Sequence, residues 1–176
     1  VRSGTVWSEG SRITSALSGY TSFGYRFAVS GNHLIASQDD NRVFAFVRDG
    51  AGSWQANGEL VRPASVSGLM TGFGMAVALD GGTAAVETVG LVVTYTLGAQ
   101  GWSASQTLSG MSDEFYVSRG ETLAVKGNLI VVGVPDHDVV HPTTGDLIVD
   151  RGSLFVFELG DAFVRMEVVN REGQIV

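Results

Sequence analysis

Phe23-Gly24-Tyr25-Arg26-Phe27-Ala28-Val29 returns fifty residues later as Phe73-Gly74-Met75-Ala76-Val77-Ala78-Leu79. Further along each unit Gly52-Ser53-Trp54 returns as Gly101-Trp102-Ser103. A third, worn copy opens with Phe115-Tyr116-Val117 and continues to Gly152-Ser153-Leu154-Phe155-Val156-Phe157. Self-similarity at this period marks a repeat architecture, in which each unit buries its apolar faces only against its neighbours.

Within one repeat the pattern is of strands. Phe27-Ala28-Val29 runs into Ser30-Gly31-Asn32, residues that tolerate positive φ and so favour a tight turn. Leu34-Ile35-Ala36 then resumes as the second arm of a hairpin. Val43 to Val47 is a third, apolar strand, and the more polar stretch from Trp54 to Leu60 a fourth. The second unit repeats the order with strands at Met75–Leu79, Thr83–Val86, Gly90–Thr96 and Trp102–Leu108. The third gives Thr122–Val125, Leu129–Val132, a long loop from Pro135 to Asp150, Ser153–Leu159 and Phe163–Val169.

No helical period of ten residues occurs, and 24 glycines against three prolines suit short strands and turns. The fold class is therefore all-β, with blades of four antiparallel strands as in a β-propeller. A β-sandwich also spaces strands regularly, but it does not call for a repeat. The expected organisation is 1–22 as the outer strands of a preceding blade (Gly4–Trp7 third, Ser11–Leu17 fourth), then blades at 23–72, 73–114 and 115–170, and a tail at 171–176. That makes about three and a half blades, an arc to be completed by other blades or another chain.

These landmarks resemble the FG-GAP repeat, which builds the propeller head of integrin α-chains and many microbial and protist surface proteins. Phe23-Gly24 and Phe73-Gly74 carry the first half of the motif. Val131-Val132-Gly133-Val134-Pro135 is similar to the second half, and Gly152 to Phe157 to the Gly-x-Val-Tyr-Val-Phe strand. The resemblance covers roughly residues 20 to 165. It departs at Phe115-Tyr116, and at Ala36-Ser37-Gln38 and Val86-Glu87-Thr88, where Gly-Ala-Pro belongs. The resemblance implies an extracellular or cell-surface module for adhesion, protein–protein interaction or structural assembly, without catalysis. The start at Val1, with no apolar leader, reads as a mature or excised piece.

Bulk composition narrows the partners. A net charge of −7 and a pI near 4.8 would repel phosphate backbones, so nucleic acid is not expected. No apolar run approaches the ~20 residues of a membrane-spanning helix. There is no cysteine, hence no disulfide or thiolate site. The expected partner is another protein chain or the remaining blades, with carbohydrate a further candidate.

The integrin-type calcium loop needs several carboxylates within about nine residues, because calcium takes six to eight oxygens. The turns at Ser30–His33, Asp80–Thr83 and Lys126–Asn128 offer at most one each. The acidic and imidazole groups gather instead in the long loop, where Asp136, Asp138, His141 and Asp146 form a candidate Ca²⁺ or Zn²⁺ ligand set, joined by His137 and Asp150. The same charges suit a solvated connector. No other cofactor is called for.

Arg48-Asp49-Gly50-Ala51-Gly52-Ser53-Trp54 resembles the Asp-box turn of sialidase propellers, so a carbohydrate-processing propeller with its catalytic groups elsewhere is the alternative function. Glycosidase chemistry needs paired carboxylates or a Tyr nucleophile, and nothing pairs Glu87 or Glu121. Trp7, Trp54 and Trp102 are expected to plug the gaps between blades, Phe44 and Phe155 to be buried between them, and His33 to sit exposed beside its turn.

Overall fold

The computed structural model describes residues 2–7, 9–15, 22–39, 41–66, 72–88, 90–109, 122–135, 138–140, 144–148, 152–160 and 164–169. Its strands are β1 (Arg2–Ser3), β2 (Val6–Trp7), β3 (Phe27–Ser30), β4 (His33–Gln38), β5 (Arg42–Arg48), β6 (Trp54–Glu59), β7 (Val77–Asp80), β8 (Thr83–Thr88), β9 (Leu91–Gly98), β10 (Gly101–Leu108), β11 (Leu123–Lys126), β12 (Leu129–Val134), β13 (Val139–Val140), β14 (Leu147–Ile148), β15 (Ser153–Leu159) and β16 (Val164–Val169). A single 3₁₀ turn covers Ala64–Val66.

Three four-stranded antiparallel sheets follow, in the order β3-β4-β5-β6, β7-β8-β9-β10 and β11-β12-β15-β16. Each is a propeller-like meander, here called blades 1, 2 and 3. The innermost strands β3, β7 and β11 lie side by side, with β7 between the other two. The expected four-strand repeat is present, and Trp54 and Trp102 fall at matching positions. Trp54 pairs across from Arg48, two residues beyond Phe46, and Trp102 from Leu97, two residues beyond Tyr95. Both outer hairpins also carry a bulge at the same place, opposite Ala45 and opposite Thr94. In blade 2 the Thr94 hydroxyl receives the Gln106 N–H at 3.0 Å and lies 2.7 Å from Ser105 Oγ, so the break in the ladder leaves these groups satisfied.

The period of two along each strand divides the side chains into two faces. One apolar cluster joins Ile35, Val43 and Ala45 of blade 1 to Leu79, Val86, Val93 and Tyr95 of blade 2. A second joins Ala85, Val92 and Leu108 of blade 2 to Ile130, Val132, Phe155 and Phe157 of blade 3. Blade 2 is thus covered on both faces. Its β8 accordingly reads as a buried run, Ala84 to Thr88.

Four expectations are corrected. Among the described residues of 1–22, where Gly4–Trp7 and Ser11–Leu17 were expected as neighbouring strands, Val6–Trp7 pairs with Arg2–Ser3 as a two-stranded ribbon and 11–15 carry no strand. Residues 16 and 17 lie outside the described residues. The long loop after β12 carries a small ribbon of its own, β13 paired with β14. Phe155 is buried as expected, but Phe44 is only half-buried, since its side of blade 1 has no neighbouring blade among the described residues. His33 is half-buried rather than exposed, because its ring meets Trp102 of blade 2 edge-on at 6.4 Å.

Candidate functional site

Three devices hold one blade to the next, and each is built from residues of the repeat. The first is at the β3–β4, β7–β8 and β11–β12 turns. Ser30, Asp80 and Lys126 are equivalent, each the last residue of its blade's first strand. Ser30 Oγ receives the Gly81 N–H at 2.9 Å and donates to Asp80 Oδ1 at 3.4 Å. Asp80 Oδ2 in turn receives the Gly127 N–H at 2.9 Å, while Lys126 Nζ donates to Oδ1 at 3.3 Å. A side chain of one blade thus accepts the turn N–H of the next, twice in succession. Those contacts hold the Asp80 carboxyl below its usual range, the Gly127 N–H most and Lys126 next.

The second device is the Phe-Gly pair. The Gly74 N–H donates to the Glu87 carbonyl, and the Glu87 N–H to the Ala76 carbonyl, fixing the entry to blade 2. A Cβ on Gly74 would lie 2.9 Å from Ser37 Cβ and 3.0 Å from Val43 Cγ2 of blade 1. With φ at +90°, only glycine fits both the backbone and the space. Phe73 is 2 % exposed and meets the Tyr95 ring edge-on. Asn41 Oδ1, from the turn after β4, accepts the N–H groups of Gly72 and Phe73.

The third is Trp102, which packs on the cluster between blades 1 and 2 as the plug the sequence suggested. Trp54, its counterpart, is half-buried on the side of blade 1 that no blade covers among the described residues. The side chain of Trp7 lies outside the described residues.

Where the joints end, apolar side chains are left in solvent. Blade 1 presents Phe27 and Val29 at 69 % and 56 % exposure, with Phe44 and Phe46 half-buried beside them. Blade 3 presents Leu129 and Leu154 at 42 % and 49 %, with Val131 and Val156 half-buried. These two faces hold four of the eight large exposed apolar side chains among the described residues. Soluble monomers rarely gather such side chains into one patch, so both faces are candidate contact surfaces.

Of the candidate metal ligands, Asp136 and His141 lie outside the described residues. Asp138 stands just before β13 and Asp146 just before β14. Val139 pairs with Ile148 and Val140 with Leu147, so the two carboxylates flank opposite ends of the ribbon. The Asp146 N–H donates to Thr144 Oγ1. No group of three or more His, Asp or Glu close enough to hold a metal occurs among the described residues.

Asp49 explains the Asp-box resemblance. Its Oδ1 accepts the N–H groups of Ala51 and Ser53, and its Oδ2 the Gln55 amide. The Ser53 N–H leads in holding its carboxyl below the usual range. This carboxylate is exposed and closes the β5–β6 hairpin as an Asx turn. Glu87, by contrast, is 3 % exposed on the face of blade 2 turned to blade 3.

Sequence reasoning missed Gln38. It lines a cleft of about 370 Å³ with Tyr25, Asp39, Asn41, Phe73 and Met75, where blade 1 meets blade 2. Ser15 Oγ donates to its Oε1, while its buried Nε2 has no partner. Thr88, at the matching end of β8, also buries a hydroxyl without a partner. The available signal was the polar residue standing in both units where the FG-GAP pattern places Pro. The cleft offers hydrogen-bonding groups from both blades.

No protein-family model matches this chain, and no curated protein matches it. Among solved structures it is similar to the computationally designed Ika4 protein. That match covers 96 % of this chain and 97 % of the designed one at 17 % identity, with a TM-score of 0.48. The fold assignment rests on the strand order and register above.

Proposed function

We propose that this chain is a non-catalytic FG-GAP-like blade module, working outside the cell or at its surface in adhesion, protein–protein interaction or structural assembly. One observation supports the reading above the others: a stack of three blades with an apolar face left open at each end. Such a stack acts by being joined to something. The cell-surface setting is what the FG-GAP resemblance implies. The Asp49 turn, the feature nearest to a sialidase propeller, spends its carboxylate on a hairpin and offers no reacting group.

The test is binding set against turnover. The purified chain is presented to arrays of extracellular-matrix proteins and glycans, and incubated with a panel of sialosides and other glycosides. Saturable binding to a protein with no release of product is the expected result. Hydrolysis of any glycoside, abolished by a carboxylate substitution in the chain, would overturn the proposal in favour of the carbohydrate-processing alternative.

A further inference from the structure

The joints between blades have a direction. The face that blade 1 turns to blade 2 is made of Ala28, Ile35, Val43 and Ala45, and the face that blade 2 turns to blade 3 includes Ala78, Ala85 and Val92, so both are built from small and branched side chains. The faces that receive them are bulkier and carry aromatic rings, Tyr95 in blade 2 and Phe155 and Phe157 in blade 3. Strand register makes Phe46, Tyr95 and Phe157 equivalent, and likewise Phe44, Val93 and Phe155.

The two open faces are one of each kind. Blade 1 leaves the Phe27, Val29, Phe44 and Phe46 part of its receiving face without a neighbouring blade among the described residues, while Ala36 and Gln38 at the other end of that face are buried. Blade 3 leaves a giving face bare, with Ala124, Val131, Leu154 and Val156, the counterparts of Ala28, Ile35, Val43 and Ala45. The glycine of the first Phe-Gly pair carries the same message. Gly24 has the φ of Gly74, +84° against +90°, yet a Cβ there would meet nothing within 4 Å. Gly74 fills its slot against Ser37 and Val43 of the blade before it. Gly24 has the shape for that contact and, among the described residues, no blade to make it.

We propose that a second copy of this chain covers both faces, blade 3 of each copy packing on blade 1 of the other to close a ring of six blades. The inference rests on the blade-module reading above and names its partner. Propellers close with about four to eight blades. One copy of the 176 residues has three blades among its described residues, too few to close; two copies give six, within the range; three copies give nine, beyond it. Unlike faces make head-to-tail joints, and such joints end in a closed ring when the rotation permits it.

The joint is tested by mass and by directed cross-linking. Sedimentation of the purified chain is expected to give about 37 kDa, twice its 18.5 kDa. Phe27→Asp places a charge on a side chain that is 69 % exposed in the single copy, so the fold should survive and the mass should halve. The chain has no cysteine, so single thiols report cleanly. Ser30 meets Asp80 across the first joint, and the equivalent meeting across the proposed joint is Lys126 of one copy with Ser30 of the other. A short thiol cross-linker should join Ser30→Cys chains to Lys126→Cys chains in a mixture, and neither variant to itself. Overturning results are a monomer at every concentration, a dimer untouched by Phe27→Asp, or cross-linking within either variant alone. A monomer that still bound a matrix protein without turnover would end this inference and leave the proposed function standing.

Discussion

Blade 1 and blade 2 carry the same motif in the same register, and their matching residues live in different surroundings. Phe73 is 2 % exposed, and Phe23, its counterpart, is half-buried, its ring 6.1 Å and 6.0 Å from those of Phe44 and Phe46. Leu79 is 9 % exposed and Val29 is 56 %. Gly74 is wedged against blade 1, whereas Gly24 borders open space. Local sequence sets the strands, the turn and the direction of each side chain; what lies across from a side chain depends on the neighbouring blade. The same residues therefore serve as core in the middle of the stack and as contact surface at its end.

The sharpest break of this comparison is at Phe155 and Phe44, equivalent positions of which one is 1 % exposed and the other half-buried. Phe155→Ala should cost ~3–5 kcal/mol by denaturant unfolding, as loss of a core ring does. Phe44→Ala should cost less than half of that when measured on the single copy. Equal losses would mean that blade 1 is covered after all.

Next in size is the pair of glycines. Gly24→Ala should cost roughly 1–3 kcal/mol from its left-handed backbone alone. Gly74→Ala should cost a further ~1–3 kcal/mol, because the new methyl collides with Ser37 and Val43 across a packed joint. Equal losses would remove the wedge from the account.

The smallest effect is in the acid limb of stability. Asp49 and Asp80 both have carboxyl groups held below their ordinary value of 3.8 by hydrogen bonds made in the fold. A depressed folded-state pKa contributes stability that is present above 3.8 and lost as pH falls through the lower, folded value. The melting temperature of the wild-type chain should therefore fall as the pH drops below about 4. Asp49→Asn and Asp80→Asn should each flatten part of that fall, Asp80→Asn also loosening the contact between blades 2 and 3. A wild-type curve with no fall below that pH would contradict both assignments.

The fold was largely legible, because a four-strand repeat states its turns and strands locally. Ser30-Gly31-Asn32, Asp80-Gly81-Gly82 and Lys126-Gly127-Asn128 each form the expected hairpin turn, and the twelve strands of the three blades fall close to where they were expected, whereas β13 and β14 were not expected at all. The contact surfaces were less so. Phe27-Ala28-Val29 and Val77-Ala78-Leu79 read alike as apolar strands, and nothing in either triplet says which lies at the end of a stack. His33 looked exposed because its partner, Trp102, comes from another repeat. Gln38 escaped because its neighbours come from elsewhere in the chain: Ser15, which donates to it, and the Phe73-Gly74 turn that lines the same cleft. Gly4–Trp7 and Ser11–Leu17 read as the third and fourth strands of a blade, but pairing needs a partner strand, and Val6–Trp7 found Arg2–Ser3 instead.

The account turns on the claim that equivalent positions are core in blade 2 and open surface in blade 1, and thiol labelling measures it directly. In this cysteine-free chain, Val29→Cys and Leu79→Cys place single thiols at matching sites, 56 % and 9 % exposed in the parent residues. At high dilution, with the copies apart, the thiol at 29 should react at the rate of a free thiol, and the thiol at 79 only as fast as the joint opens. Equal labelling rates at the two sites under those conditions would contradict it.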